Sequence, residues 1–388
     1  MDIKKFTEIL IDKNLYNFEK MSYKYGKDFE AFLDDLKDLY YEKLPLKDES
    51  DNNLVFIGSH AKLSQNTVKL LLKNRDTGYG IKAAEDEIIS TCAIESIDFS
   101  RDSVRNILKG YAPKDEQEDR IMGLKKGFEF ISTDNEITEE NLYKLYMMTV
   151  GEFLPEEDKL IDGNYYRHDN VFVVSDHIEH TGIPAKKVST YMKQLIEFIN
   201  KDDGINDLYK AAIIHFYFCF VHPYFDGNGR MARLLHLWFL IRKGYKSALF
   251  IPFSSKIEKK RKKYYDAYTT IESNKKYSGV LDVTPFVLYF TENVYNEITG
   301  EVVGTDTFEV YENALSSGKI TEKETKLWKF VISFYGTGEF STKQLEKNFG
   351  NAAYATIRGF VLKFEELGLL YSTKYGARIK YKIANDGR

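Results

Sequence analysis

Cysteine is nearly absent from this chain. Of 388 residues only Cys92 and Cys219 carry thiols, far apart in sequence and each within an apolar stretch. Two such thiols exclude a disulfide framework and fit a reducing compartment. An excess of either charge is also missing. Lys and Arg number 55 against 59 Asp and Glu, a net charge of −4, which argues against a broadly basic nucleic-acid coat and leaves room for a local basic patch. Long hydrophobic runs are lacking too. The most apolar stretch, Ala211 to Val221, is about half of the ~20 residues a membrane span needs, and His222 ends it. The opening MDIKKFTEIL is amphipathic, without the apolar centre of a signal peptide. These absences lead to the expectation of a soluble, cytoplasmic protein with no membrane partner.

Aromatic residues, by contrast, are abundant: 28 Tyr and 27 Phe, with 43% hydrophobic residues in all. That composition suits real cores and excludes a disordered chain. The length suggests two or three domains. Apolar residues recur mostly at three- and four-residue spacing, so the chain reads as mainly α. Residues 1–80 read as an N-terminal helical region with a polar break over 48–53, and residues 81–300 as a second domain. A helix over about 80–96 leads into TCAIES, and Thr138 opens another as its cap. The run NVFVVS reads as a β-hairpin or flap inside this helical domain. Helices are expected again over 188–199, 207–220 and 229–243. The basic run KIEKKRKK at 256–263 reads as a solvated helix face. Residues 305–388 form a third region of helices followed by a hairpin about Tyr375–Gly376, with Ser341 or Thr342 as a cap and Gly368 as a helix stop. That order suggests a winged helix-turn-helix module.

The chemistry concentrates in His222-Pro223-Tyr224-Phe225-Asp226-Gly227-Asn228-Gly229-Arg230-Met231-Ala232-Arg233, between two apolar helices. Gly227, Asn228 and Gly229 accept left-handed backbone angles, so successive N–H groups can converge on an anion. The helix starting near Gly229 adds its positive end. Arg230 and Arg233, three residues apart, share one face and suit a polyphosphate. Asp226 offers an oxygen to a Mg2+ bridging phosphates. His222 is placed to take a proton from a nucleophile.

This segment resembles the Fic motif, His-Pro-Phe-x-Asp/Glu-Gly-Asn-Gly-Arg-x-x-Arg, with Tyr224 in place of Phe. The resemblance extends over roughly residues 80–290. It implies a helical Fic-type core with a β-hairpin flap and the activity of a protein adenylyltransferase: AMP passes from Mg-ATP to a Ser, Thr or Tyr hydroxyl of a target protein, and to the enzyme itself. His222 would be the general base, and Asp226 would hold Mg2+. Gly227, Asn228 and Gly229 would cradle the α- and β-phosphates. Arg230 would grip the β-phosphate side of the leaving group, and Arg233 the γ-phosphate. The segment GNYYRHDNVFVV resembles the flap that aligns the target by strand-like pairing, with Val171, Phe172, Val173 and Val174 over the nucleotide. His180, Pro184 and Met192 continue the family pattern, although a proline doublet is reduced to Ile183-Pro184. Tyr264 and Tyr265 match a tyrosine pair near the adenine, with core packing as the other reading.

Upstream, Thr91-Cys92-Ala93-Ile94-Glu95-Ser96 resembles the inhibitory motif Ser/Thr-x-x-x-Glu-Gly/Asn, with Ser96 at the departing position. The resemblance implies that Glu95 takes the γ-phosphate's place on Arg233 and restrains AMP transfer. In some relatives the same Glu supports removal of AMP. Three alternatives stay open: a Fic enzyme transferring phosphate or another group, a DNA-binding regulator acting through the C-terminal module, and a homodimer. Arg358, Lys363, Lys374, Arg378, Lys380 and Lys382 are that module's candidate phosphate contacts.

Overall fold

The computed structural model describes residues 1–71, 81–175, 178–298, 305–336, 338–350, 352–376 and 378–384. The expected boundaries at 80 and 300 fall outside them. Helices dominate. In chain order they begin with α1 (Ile3–Leu10), α2 (Phe18–Tyr25) and α3 (Lys27–Leu39), followed by the strands β1 (Glu42–Lys47) and β2 (Asn53–Phe56). Then come α4 (Gln65–Leu70), α5 (Ile81–Ile94), α6 (Arg101–Leu108), α7 (Glu116–Ser132) and α8 (Glu139–Thr149). The hairpin β3 (Phe172–Ser175) and β4 (Ile178–Thr181) precedes α9 (Ala185–Asn200), α10 (Asp207–Val221) and α11 (Asn228–Arg242). After these lie α12 (Phe253–Lys259), α13 (Arg261–Ser278) and α14 (Thr284–Phe290). The last elements are α15 (Thr305–Ser316), α16 (Glu322–Tyr335), α17 (Thr342–Phe349), α18 (Tyr354–Glu366), β5 (Leu370–Tyr375) and β6 (Arg378–Ile383). Among the described residues the strands form three separate antiparallel pairs, β1–β2, β3–β4 and β5–β6.

Two compact units result. One comprises Met1–Leu63, Asn135–Phe239 and Lys256–Tyr295; the other comprises Ser64–Asp134, Leu240–Ser255 and Asn296–Arg388. In the first unit α10 is apolar on every side and buried along nearly its whole length, as a central helix must be. Aromatic rings from α13 and α14, among them Tyr264, Tyr268, Phe286 and Phe290, pack around His215 and Phe216. A satellite core joins α1 to α3 through Ile9, Phe18, Met21, Phe29, Phe32 and Leu36.

The N-terminal region is not wholly helical. The polar break over 48–53 is the turn of the β1–β2 hairpin. Buried Asp48 accepts from the N–H groups of Ser50 (3.0 Å) and Asn52 (2.8 Å), an Asx-type turn, and Asp51 takes φ 62°. Leu44 and Leu46 face inward with period two. The basic run 256–263 departs from one solvated face as well: α12 ends at Lys259, α13 starts at Arg261, and Lys256 is buried. Of the two thiols, Cys92 is buried and Cys219 only half-buried.

In the second unit α15 to α18 and the β5–β6 hairpin share one core, including Trp328, Leu345, Ile357, Phe360, Phe364 and Ile383. Ser341 is the N-cap of α17, with Gln344 completing a capping box. The expected stop at Gly368 is present, at φ 75°. Phe340 bridges to Tyr381 on β6 through paired backbone hydrogen bonds of 2.9 and 2.7 Å. Glu324 caps α16 by accepting from Thr321 N (2.8 Å), and the same carboxylate accepts from Lys363 Nζ of α18 at 2.8 Å.

Candidate active site

The end of α10 sets the geometry. His222 is its C-cap and adopts the left-handed conformation, φ 54° and ψ 62°, while its N–H still bonds Phe218 O at 3.0 Å. That turn leads the chain off the helix into Pro223. The ring Nδ1 of His222 lies 3.3 Å from Cys219 O. A carbonyl only accepts, so Nδ1 is the donor in this contact.

The loop is closed by its own side chains. Asn228 Oδ1 accepts from Tyr224 N at 2.9 Å, and Asn228 Nδ2 donates to Tyr224 O at 2.8 Å. The Asn228 side chain therefore staples the loop, and only its backbone belongs to the N-terminal turn of α11. Tyr224 is fully buried, its ring stacked 3.6 Å from that of Tyr146 with 7° between planes. Its hydroxyl has no partner among the described residues, and burial pushes its pKa well up. Gly227 takes φ 79°, and a Cβ there would lie 2.6 Å from a methyl of Val150 on the segment after α8. Glycine is required at this position both for the angle and for the contact.

Asp226 is exposed. Its Oδ1 accepts from Gly227 N at 2.6 Å and its Oδ2 pairs with Arg230 Nη2 at 2.9 Å, one helical turn on. Arg230 and Arg233 are both buried, at 9% and 4% exposure, so their charges act in a medium less screening than water. No cluster of three or more His, Cys, Asp or Glu able to hold a metal occurs among the described residues. An exposed single carboxylate beside a helix N-terminus nonetheless fits Mg2+, which commonly takes one or two carboxylates and completes its shell with phosphate oxygens and water.

The loop is tied to the hairpin, which pairs Phe172 with Thr181 and Ser175 with Ile178. Phe172 is 76% exposed; Val171, half-buried, precedes the strand, and of Val173 and Val174 only the backbone pairing is described. At the hairpin base Gly182 N donates to Val171 O at 3.3 Å. Arg167, which sequence periodicity does not mark, is buried against this base and the loop. Beneath the loop His215 bonds Tyr264 OH at 2.9 Å and His236 bonds Tyr295 OH at 2.7 Å. Burial holds both imidazoles below their usual pKa, His236 down to about 3, so both are neutral. Tyr264 is thus a core residue hydrogen-bonded to His215, and Arg261 lies over the Tyr265 ring.

Thr91 lies in α5 and Glu95 directly follows it, both in the second unit. Thr91 is buried, and Glu95 is half-buried just beyond the helix's last residue, Ile94. The helix is anchored by Glu85, gripped by Arg105 through bonds of 3.0 and 2.9 Å, and by Glu87, which accepts from Ser254 N at 2.7 Å. Its end is a Schellman motif: Ile97 N reaches Cys92 O at 2.9 Å and Ser96 N reaches Ala93 O at 3.1 Å. Ser96 therefore sits at φ 60°, where glycine or asparagine is at ease and serine is strained.

Residues 136–240 match the family described as Fic/DOC family. "Protein adenylyltransferase Fic" of Aedes aegypti is 26% identical over 234 residues, 56% of this chain and 42% of that protein. "Protein adenylyltransferase fic-1" of Caenorhabditis elegans is 23% identical over 256 residues, 62% of this chain and 45% of that one. The chain therefore spans less than half the length of these two relatives. Among solved structures, a Fic family protein from Desulfovibrio desulfuricans G20 aligns with TM-score 0.47 and 20% identity over 79% of this chain and 88% of that one. Fic-1 from Caenorhabditis elegans aligns with TM-score 0.45 and 18% identity over 81% and 86%. No described helix is long and apolar enough to cross a membrane. The segment that matches the Fic/DOC family, 136–240, holds α8, the hairpin and the whole loop from His222 to Arg233.

Proposed function

We propose that this chain is a protein adenylyltransferase that moves AMP from Mg-ATP to a hydroxyl of a target protein and to itself. The observation carrying this reading is the loop from His222 to Arg233: an imidazole at the left-handed end of a helix, a helix N-terminus and two buried arginines in one short segment. The likeness of residues 136–240 to the Fic/DOC family and the names of the relatives support it.

In this mechanism the backbone of Gly227, Asn228 and Gly229 holds the α- and β-phosphates at the α11 N-terminus. Arg230 and Arg233 orient the β- and γ-phosphates. Asp226 would hold Mg2+, which when bound neutralises phosphate charge. His222 Nε2 takes the proton as the target's hydroxyl oxygen bonds the α-phosphorus. The bond from that phosphorus to the bridging oxygen breaks, and pyrophosphate leaves. Rate comes from positioning and from charge placed in advance.

Glu95 is the brake in this scheme: paired with Arg233, it removes the cation that orients the γ-phosphate. It is also the residue through which AMP removal would run. The setting is cytoplasmic. The C-terminal region is read as a winged helix, a reading supported by the order of its elements, helices followed by the β5–β6 hairpin. A DNA role for that module rests on Arg358, Lys374, Arg378 and Lys382, since Lys363 is bound to Glu324 and Lys380 pairs with Glu339 at 3.4 Å. A gel shift with the full chain that weakens with salt would support it.

The deciding experiment incubates purified protein with labelled ATP and Mg2+, comparing the parent with His222→Ala and Glu95→Gly, and maps the label by mass spectrometry. An AMP adduct raised by Glu95→Gly and abolished by His222→Ala is expected. A phosphate adduct would shift the assignment to another transfer. No adduct, or one indifferent to His222, overturns it.

A further inference from the structure

Arg167 is 2% exposed, yet no described carboxylate pairs with its guanidinium. Its partners are main-chain carbonyls. Nε donates to His222 O at 2.7 Å, Nη1 to Asp169 O at 2.6 Å, and Nη2 to Ile183 O with a longer contact of 3.5 Å to Val221 O. Its own N–H donates to Pro223 O at 3.0 Å. One residue therefore touches three consecutive carbonyls, Val221, His222 and Pro223, and one carbonyl on each side of the β3–β4 hairpin. Burial alone pulls its pKa down to about 10, so it stays charged at neutral pH.

A buried charge without a counter-ion is costly unless dipoles replace the lost water. Here the dipoles come from the end of α10. The last carbonyls of a helix lack intrahelical partners and lie at its negative pole. A left-handed residue at that end turns its own carbonyl aside, and Arg167 captures it. Guanidinium suits this task because its donors are fixed in a plane and reach several acceptors at once; an ammonium cannot reproduce that fork. Gly182 permits the closeness. A Cβ at this glycine would lie 3.0 Å from Arg167 Nη2 and 3.1 Å from His222 Cβ, so the guanidinium and the imidazole stem flank the same bare backbone position.

We propose that Arg167 is the positioning residue for His222: it locks the left-handed turn that aims the imidazole and fixes the hairpin base to the same point. This rests on the reading of His222 as general base. The phosphate-binding groups on α11 are held separately, by Asn228 and Asp226, so loss of the clamp should misplace the base and leave nucleotide binding intact. A misplacement near 1 Å costs on the order of 100-fold in rate.

The test uses the full chain, with and without Glu95→Gly, and compares Arg167→Lys, Arg167→Ala and His222→Ala. The readouts are protein labelling from ATP, the KM for ATP, thermal unfolding, and the histidine ring NMR signals, with the His222 resonance assigned from His222→Ala. Arg167→Lys is expected to stay folded, to lose about 100-fold in kcat with KM for ATP within about twofold, and to shift or broaden the His222 signal. A cavity of about 380 Å³ lined by Arg167, Tyr165, Tyr166, Ser189 and Lys193 gives added guanidinium a route, so it should partly restore Arg167→Ala. An Arg167→Lys protein with kcat within about threefold of its parent while His222→Ala is inactive overturns the inference alone. So does a loss carried by KM, or a His222 signal that does not move in Arg167→Lys. A fully active His222→Ala overturns the underlying function as well.

Discussion

Replacing Gly227 by alanine should damage the loop in two separable ways. The first is conformational: φ 79° costs an L-residue about 1–2 kcal/mol. The second is steric: the new methyl would lie 2.6 and 2.7 Å from the two Val150 methyls, and Val150 is 1% exposed and cannot swing into solvent. Overpacking of this kind costs about 1–3 kcal/mol. Together Gly227→Ala should destabilise by about 2–5 kcal/mol. Val150→Ala removes both offending methyls but leaves a cavity worth about 2–3 kcal/mol. The double variant should then be less destabilised than the sum of the two by about 1–3 kcal/mol, the steric share alone. The chain offers a local probe, because its 2 tryptophans lie in different units, Trp238 in one and Trp328 in the other. In a Trp328→Phe background, urea unfolding followed by Trp238 fluorescence reports the unit that holds the loop. Additivity within about 0.5 kcal/mol, or a Gly227→Ala protein as stable as its parent, would refute the contact.

Three further outcomes follow from the same geometry. Ser96→Gly should stabilise the end of α5 by about 0.5–1 kcal/mol, since relief of the left-handed strain slightly outweighs the added freedom of the unfolded chain; a loss in chemical denaturation would show that the serine hydroxyl holds the turn. Tyr224→Phe should leave the Tyr146 stack intact and shed an unpartnered buried hydroxyl, raising stability by about 1 kcal/mol; destabilisation beyond about 1 kcal/mol would mean that the hydroxyl is engaged. Buried Asp282, fed by Thr284 N at 2.9 Å and Tyr41 OH at 3.2 Å, has its pKa raised by desolvation to about 6. The folded state then binds more protons than the unfolded state between about pH 4 and 6, so stability falls as pH rises through that window, by roughly 2–3 kcal/mol. Asp282→Asn should flatten the fall in urea titrations at pH 4.5 and 7, and an unchanged slope would exclude Asp282 as its source.

The loop at the end of α10 was legible because its chemistry is compressed into twelve consecutive residues between two strongly apolar segments. The helices there, and the caps at Thr138 and Ser341, follow from periodicity and short-range hydrogen bonding. The β1–β2 hairpin was hidden: Pro45 and three charged side chains break up β1, and the only signal is the period-two pair Leu44 and Leu46. Arg167 was hidden for another reason. Its partners lie up to 56 residues away as main-chain carbonyls, and no spacing rule marks a side chain that binds backbone. Asn228 could be read as a phosphate ligand because its type suits one, whereas only the fold reveals that its amide is spent on Tyr224. Lys256 likewise belonged to a charge run that reads as one helix face, whereas the run is split between α12 and α13 and Lys256 is buried.

One carboxylate in the C-terminal helices serves two masters. Glu324 both starts α16 and fastens α18 through Lys363, and despite the desolvation that works against it, its bonds to Lys363 and Thr321 hold its pKa below the usual carboxylate range. Its contribution is present above the unfolded pKa and fades as acid protonates it through the lower folded value. Acid therefore frays one helix and unlatches the other in a single event, and the two helices loosen together instead of one after the other.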